Sequence, residues 1–335
     1  MTNPLSPQLV TVFGGSGFIG KYVVRELVKR GFRVRVPMRR PHLGLDLKVM
    51  GQTGQVQLVQ ANLRFPNSVR AAVAGSDAVI NLVAILFEAG PQTFDDLHVE
   101  GAHTLAEAVA AEGITNFAHI SAIGADADSR SDYARTKGEA ERIVRKLVPT
   151  ADILRPSIVF GPEDEFFNRF AGMSALAPAL PLIGGGKTRF KPVYAGDVGK
   201  AIATVVAKGT TGTTYELGGP RTYSFRELME YMLEVIDRKR ILAPLPFGVA
   251  SLMGAVAGAV GKLSFVPTLL TADQVELLKS DNVVTGEHPG FAELGIQPET
   301  VEAIVPEYMV RYRTHGQFHR QSGIESPAGD DMLDA

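Results

Sequence analysis

The chain has 335 residues, of which 45% are hydrophobic and 21% charged, an ordinary balance for a globular protein with one large or two smaller domains. Its formal net charge of −2 argues against nucleic acid as the main partner. Because the sequence contains no cysteine, disulfides, thiolate catalysis and cysteine-ligated metal centres are excluded. The short, polar, proline-containing start at Met1–Gln8 predicts no signal peptide, so we expect a cytoplasmic location.

Apolar runs typical of strands alternate with helical patterns through the first half of the chain. The predicted strands are Leu9–Phe13, Phe32–Met38, Val56–Ala61, Asp77–Ala84, Asn116–Ser121 and Ala151–Phe160. The predicted helices are one that stops at Gly31 and those at Ser68–Ala74, Leu97–Glu112 and Tyr133–Leu147. This regular alternation predicts an α/β fold, a Rossmann-like, doubly wound parallel sheet with right-handed crossovers.

Beyond Gly161 the sequence changes character, because proline and glycine become frequent and the helix predicted over Phe225–Ile236 has no obvious strand after it. We therefore expect residues 1–160 to form a dinucleotide-binding domain, which residues 187–218 rejoin. Residues 161–186 and 219–320 are predicted to form a smaller, mostly helical C-terminal lobe. The acidic tail, residues 321–335, is predicted to be disordered.

A glycine-rich turn separates the first predicted strand from the first helix. Gly14 would make the turn, Gly17 would let backbone N–H groups approach a pyrophosphate, and Gly20 would let helix and strand pack closely. The start of the helix favours negative charge, because its N–H groups are unpaired and the helix dipole is positive there. We therefore predict a dinucleotide site with contacts from Gly14, Gly15, Ser16, Gly17, Phe18, Ile19 and Gly20.

Two arginines, Arg39 and Arg40, follow the second predicted strand, where NAD-binding folds of this type usually carry an acid. A carboxylate would repel a 2′-phosphate, whereas an arginine can bind one through two hydrogen bonds. The sequence therefore predicts NADP(H) as the cofactor. The alternative is that both residues are solvated loop arginines.

A third motif is Tyr133-Ala-Arg-Thr-Lys137 at the start of a predicted helix, with Ser121 at the end of the preceding strand. Tyr133 and Lys137 are four residues apart and therefore project from one helix face. We expect the Lys137 ammonium to lower the pKa of the Tyr133 phenol, which could then exchange a proton with a substrate carbinol. Ser121 could orient the substrate oxygen, and Lys137 could also hold the nicotinamide ribose.

Together, these motifs resemble the short-chain dehydrogenase/reductase superfamily, and Leu154–Pro162 and Pro192–Val198 resemble its extended and atypical branches. The finer resemblance is to one atypical branch, the NAD(P)H-binding accessory (39-kDa-type) subunit of respiratory complex I. The stretches that carry it are Phe13–Val24, Gly161–Phe170, Lys191–Val198 and Phe291–Ile296, together with the short basic end Arg311–His315.

The resemblance implies a tightly held, structural cofactor, no established turnover, and other complex I subunits as partners. It also implies cofactor contacts beyond the glycine turn, from Asn62, Leu63, Ala84, Tyr133, Lys137, Pro156 and Ile158. The catalytic set of Tyr133, Lys137 and Ser121 is then either a relic or an active site, and Ala122 departs from many active relatives, which carry a second serine there. Three functions stay open: an accessory subunit, an NADP-dependent reductase or epimerase that uses Tyr133 and Lys137, and a redox-sensing regulator.

Residues Ile241–Gly261 carry no charge and are numerous enough to cross a membrane. Two prolines and four glycines disfavour a spanning helix, which leaves a buried helix or an apolar surface that docks on a membrane protein or the bilayer interface. Basic residues within the 238–262 region suit anionic lipid and favour peripheral association on the cytoplasmic side. His315 and His319 are four residues apart, but no carboxylate accompanies them, so no metal site is expected.

Overall fold

The computed structural model of the chain describes residues 8–88, 90, 92–253, 271–314 and 316. In chain order its strands are β1 (Leu9–Phe13), β2 (Arg33–Met38), β3 (Val56–Gln60), β4 (Ala78–Asn81), β5 (Phe117–Ile120), β6 (Asp152–Pro156), β7 (Val159–Phe160), β8 (Ala179–Ile183), β9 (Arg189–Phe190), β10 (Val193–Tyr194), β11 (Thr214–Leu217), β12 (Tyr223–Ser224) and β13 (Ile241–Leu245). Within the described ranges, seven of these strands form one parallel sheet in the order β11-β6-β5-β4-β1-β2-β3.

Helices pack on both faces of this sheet. In chain order they are α1 (Phe18–Lys29), α2 (Pro66–Val73), α3 (Gly101–Ala111), α4 (Asp132–Leu147), α5 (Phe167–Leu176), α6 (Ala195–Lys208), α7 (Phe225–Val235), α8 (residues 247–253 as far as the structure describes it), α9 (Ala272–Leu277), α10 (Phe291–Leu294) and α11 (Val301–Met309). Val12 of β1 belongs to the buried cluster that joins α1 and α6 to the sheet, whereas Phe13 belongs to the cluster with α3 and α4. The predicted α/β, Rossmann-like, doubly wound fold is confirmed.

The strand predicted over Ala151–Phe160 is two strands in the structure, β6 and β7. Pro156 ends β6 and has no N–H to donate, while the Ser157 hydroxyl and the Ile158 N–H donate to the Asn282 side-chain oxygen (2.7 and 3.0 Å). β7 pairs with β10 instead of joining the large sheet. The chain thus leaves the sheet after β6 and re-enters it at β11, parallel to β6.

The residues after β7 pack around a second apolar centre rich in aromatic rings. Its buried members include Phe160, Phe167, Phe190 and Phe225. α7 begins with a capping box, in which the Ser224 hydroxyl accepts from the Glu227 N–H (3.2 Å) and the Glu227 carboxylate accepts from the Ser224 N–H (2.6 Å). α10 packs elsewhere: Phe291 and Leu294 belong to the cluster of α1 and α6, so part of the C-terminal chain supports the large sheet.

The uncharged segment Ile241–Gly261 is not one helix. Its first five residues form β13, which pairs in parallel with β8, and α8 follows. Residues 254–261 lie outside the described residues, as does the predicted tail at 321–335. Across the ranges that the structure describes, no helix has the length and apolar character that a membrane crossing needs.

Candidate functional site

The turn between β1 and α1 has a shape that depends on two of its glycines. Gly14 has a φ of +78°, in the left-handed region, and its carbonyl oxygen accepts the N–H of Gly17 (3.0 Å). A Cβ on Gly20 would lie 2.1 Å from that same oxygen, a distance at which no side chain fits. The strand and the helix are therefore joined by a tight connection that only glycine permits at both positions.

Gly17 has a different environment, because it is exposed. Its backbone is extended (φ −79°, ψ 178°), and among the described residues only the Gly14 oxygen, at 3.3 Å, would lie close to an added Cβ. Gly17 is the N-cap of α1, whose first turn has no acidic residue. The open space at Gly17 and the positive end of α1 together suit an anion such as a pyrophosphate.

The other predicted residues of the turn surround these three. Gly15 is buried, and a Cβ there would lie 2.9 Å from a side chain of β2. Ser16 is partly exposed, and Ile19 packs against the cluster of α1 and α6. The Phe18 ring lies 3.2 Å from the position of a Cβ on Gly161, so this ring contacts the chain just after β7.

Arg39 and Arg40 directly follow β2, and both are exposed. β1 and β2 are parallel neighbours, so their carboxyl ends meet at the edge of the sheet that carries the glycine turn. The first acid that follows β2 in the sequence, Asp46, is paired with Lys21 of α1 (3.6 Å). Both arginines therefore lie at the edge of the sheet where a dinucleotide bound to the turn would place its adenosine ribose.

Asn62 and Leu63 follow β3, and Ala84 comes shortly after β4. The Asn62 side-chain oxygen accepts the N–H two residues later (3.1 Å), Leu63 is buried, and Ala84 is exposed. A Cβ on Gly14 would lie 2.9 Å from the backbone of Leu82, so the end of β4 also borders the turn. The carboxyl ends of β1, β2 and β4 thus converge on one place.

Ser121 and Lys137 meet at the end of β5. The Lys137 ammonium group donates to the carbonyl oxygen of Ile120 (2.8 Å), and burial lowers the pKa of Lys137 to about 8. The Ser121 hydroxyl is buried and has no hydrogen-bond partner within the described part of the chain. A buried hydroxyl without a partner is costly, which makes it a candidate to bind a ligand atom.

Tyr133 lies one helical turn before Lys137, and its phenol is not activated. Burial first, and then the carboxylate of Asp273, raise the pKa of Tyr133 to about 12. The lysine ammonium is bonded to the carbonyl of Ile120 instead. The prediction that Lys137 lowers the pKa of the Tyr133 phenol is therefore wrong, because desolvation is the larger influence on this group.

Two buried histidines beneath this site were missed by the sequence reasoning. The Nε2 atom of His98 accepts the Ile85 N–H (3.1 Å), which assigns the ring proton to Nδ1, next to the Thr136 hydroxyl (3.0 Å). Burial and Lys137 lower the pKa of His98 to about 3. His119 is buried in β5, and burial lowers its pKa well below the usual value. The signal for His119 was its place in an otherwise apolar strand.

A C-terminal residue, Asn282, also reaches the site. Its side-chain oxygen bonds to the residues between β6 and β7, and its side-chain N–H donates to the carbonyl of Ile123 (3.3 Å). The predicted contact residues Pro156, which is buried, and Ile158 are thus held beside the loop that follows Ser121.

No group of three His, Cys, Asp or Glu side chains in the described ranges could hold a metal ion. The His315 and His319 pair lies outside the described residues. The expectation that this pair binds no metal stays a prediction.

Comparisons with known proteins agree with this geometry. The pattern of the NAD dependent epimerase/dehydratase family matches residues 10–218. The chain is 30% identical to the mitochondrial NADH-ubiquinone oxidoreductase 40 kDa subunit of Neurospora crassa, over 98% of this chain and 85% of the relative. It is 35% identical to the mitochondrial NADH dehydrogenase (ubiquinone) 1 alpha subcomplex subunit 9 of Mus musculus, over 97% and 85%. A crystal structure of an NADPH-dependent quinone oxidoreductase of Escherichia coli, complexed with NADPH, matches with a TM-score of 0.70 at 18% identity, covering 89% of this chain and 99% of that one. The fold is thus one that binds nicotinamide dinucleotides.

Proposed function

We propose, from the premise that the chain belongs to the NAD dependent epimerase/dehydratase family and within it to the family of the 40 kDa subunit of complex I, that it is an NADP(H)-binding accessory subunit of respiratory complex I. In this proposal the dinucleotide is structural: it stabilises the subunit and supports its assembly with the other subunits near the membrane and the quinone-binding region. The subunit itself turns over no substrate.

The proposal that the dinucleotide is structural rests on a contrast between the glycine turn and Tyr133. The glycine turn keeps the geometry that dinucleotide binding needs, with Gly14 in the left-handed region and Gly17 open to solvent. The phenol that would have to transfer a proton has a pKa raised to about 12, which leaves it a poor acid–base catalyst near neutral pH. Binding without turnover fits both observations.

The choice of NADP(H) rests on Arg39 and Arg40, which are exposed at the carboxyl end of β2. We expect Arg39→Asp to weaken NADPH binding much more than NADH binding, by roughly 2–4 kcal/mol, because a phosphate contact is lost and a repulsive carboxylate is gained. Calorimetric titration of both nucleotides measures this. Equal affinity of the unaltered protein for NADH and NADPH would contradict the choice of NADP(H).

Membrane proximity is supported by exposed apolar side chains on α8 and at the start of β13, where Ile241 is 70% exposed. Of the neighbouring basic residues, Arg238 and Arg240 each donate through Nε to a backbone carbonyl (2.9 and 2.7 Å), and Lys239 is exposed. Lys262 lies outside the described residues. Contact with anionic lipid through the 238–262 region, on the cytoplasmic side, stays a prediction.

A reductase or epimerase is the second candidate, and the observation that favours it is the unpartnered hydroxyl of Ser121 beside Lys137. Tyr133→Phe separates the two functions, because it removes the phenol oxygen and keeps the ring. In an accessory subunit, electron transfer from NADH to quinone in membranes that carry the variant should stay near the unaltered rate. In an enzyme, NADPH oxidation with a carbonyl substrate should fall by about 10²–10⁴-fold.

The proposal as a whole is tested by purification from membranes. We expect the chain to co-purify with other complex I subunits and with bound NADP(H), and deletion of its gene to reduce assembled complex. Recovery of the chain as a free protein without nucleotide, with complex I unaffected by the deletion, would refute it.

A further inference from the structure

The carboxylate of Asp273 lies at the N-terminus of α4, although Asp273 and Tyr133 are 140 residues apart. One carboxylate oxygen accepts the Asp132 N–H (2.7 Å), and the other accepts the Tyr133 N–H (3.3 Å) and the Ser131 hydroxyl (3.1 Å). The first turn of a helix has unpaired N–H groups and is positive, so a carboxylate there stabilises it. The helix that carries Tyr133 and Lys137 is thus held by a residue from a distant part of the chain.

Asp273 belongs to α9, a short helix with a local start signal of its own. Thr271 is its N-cap, and the Thr271 hydroxyl accepts the N–H of Gln274 (3.2 Å) while the Gln274 side chain accepts the Thr271 N–H (3.3 Å). Val275, two residues after Asp273, is fully buried in a small cluster with Ala250 of α8 and a residue of β8. One six-residue helix therefore contacts α4 through a carboxylate and α8 through an apolar side chain.

The remaining surface of α8 is apolar and exposed. Val249, Leu252 and Met253 have 48%, 68% and 56% of their surface accessible, while Ala250 between them is buried against α9. A change in the position of α9 would therefore change the packing of Val275 against Ala250, and with it the order of the exposed apolar side chains of α8. The contacts form one continuous path from Tyr133 through Asp273 and Val275 to α8.

We propose that Asp273 is a positioning residue that couples the dinucleotide site to α8, so that nucleotide binding and a fixed α8 stabilise each other. The inference rests on the proposed function, in which the dinucleotide is bound next to Tyr133 and Lys137. A ligand that orders the first turn of α4 strengthens the hydrogen bonds between this turn and Asp273. Those bonds fix the position of α9, and α9 in turn fixes α8 through Val275. Coupling of this kind is reciprocal, so whatever α8 binds tightens the hold on the nucleotide.

Hydrogen exchange of the full chain, with and without NADPH, tests the coupling. In the unaltered protein NADPH should slow exchange of residues 132–137 and also of residues 247–253, each by roughly 5-fold or more, the lower end of typical coupling between sites. In Asp273→Ala, NADPH should still slow residues 132–137 but no longer residues 247–253. Val275→Ala breaks the other end of the path and should give the same split, so it carries the test if Asp273→Ala does not fold.

Asp281→Ala is the matched control, because Asp281 follows α9 closely yet bonds to Arg189 (2.8 Å) instead of α4. It should behave as the unaltered protein. Equal protection of residues 247–253 in Asp273→Ala and the unaltered protein would overturn the coupling, as would NADPH binding without any protection of those residues. Failure of the unaltered protein to bind NADPH or NADH would instead refute the proposed function, and the coupling with it.

Discussion

Substitutions at two glycines of the same turn should have different effects. A side chain at Gly20 should lower the stability of the protein itself, whereas one at Gly17 should mainly prevent nucleotide binding. A Cβ on Gly20 would lie 2.1 Å from a backbone oxygen and 2.7 Å from two further backbone atoms, so Gly20→Ala must push α1 away from the turn. Overpacking against backbone costs about 1–3 kcal/mol or more of the free energy of unfolding, with or without nucleotide. At Gly17 the extended backbone is one that valine adopts readily, and the one close neighbour of an added Cβ in the described part of the chain is the Gly14 carbonyl oxygen at 3.3 Å.

Gly17→Val should therefore cost the nucleotide-free protein about 1 kcal/mol or less, mainly because valine is a poorer N-cap than glycine. It should lose the stabilisation by ligand, which is about 2.7 kcal/mol at a hundredfold excess of NADPH over its dissociation constant. Urea unfolding of the three proteins, each with and without NADPH, measures both quantities. A Gly17→Val protein that NADPH stabilises as strongly as the unaltered protein would show that no phosphate approaches this residue.

The remaining predictions concern buried ionisable groups. His98 has a pKa of about 3 in the folded protein against 6.5 ordinarily, so the unfolded state binds the extra proton and stability is lost as the pH falls from 6.5 towards 3. His98→Gln should remove up to about 3 kcal/mol of the loss between pH 7 and pH 4 in urea titrations at these two pH values. An unchanged pH slope would contradict this. For Lys137, whose pKa is about 8 against 10.5, stability should rise between pH 8 and 10.5. Lys137→Met should lack this rise, which is up to about 3 kcal/mol, in urea titrations at pH 8 and pH 10.5. The reasoning fails if both proteins show the same rise. Glu141→Ala should destabilise the fold by about 3 kcal/mol, because it leaves the largely buried guanidinium of Arg155 without its two hydrogen bonds to the carboxylate (2.9 and 2.6 Å). Asp128→Ala is the control, since it breaks an exposed ion pair with Arg142 and should change stability little. Similar unfolding midpoints for the two variants would count against this prediction.

The parts of the site that the sequence predicted are those that local spacing determines. Gly14 and Gly20 had to meet because a strand, a tight turn and a helix leave no other arrangement. Ser121 and Lys137 were predictable for a similar reason, since consecutive elements of a doubly wound sheet are usually neighbours.

The parts that escaped prediction depend on contacts between distant segments. The pKa of Tyr133 is raised by burial and by Asp273, and nothing near Tyr133 in the sequence indicates either influence. Asn282 likewise reaches the residues after β6 across 125 positions. The apolar run at residue 241 was ambiguous, because an uncharged segment with prolines suits a short strand beside β8 as well as a buried helix.

The late return of the chain to the large sheet has a consequence for synthesis. β11 is one of the two edge strands of the sheet. Its Glu216 carboxylate accepts the Thr285 N–H (2.6 Å), and Phe291 and Leu294 belong to the cluster of α1 and α6. A nascent chain that has emerged only as far as β6 therefore exposes apolar surface that residues more than a hundred positions later will cover. Exposed apolar surface of this kind favours aggregation, so we expect a product that ends before Phe291 to be less soluble than the full chain.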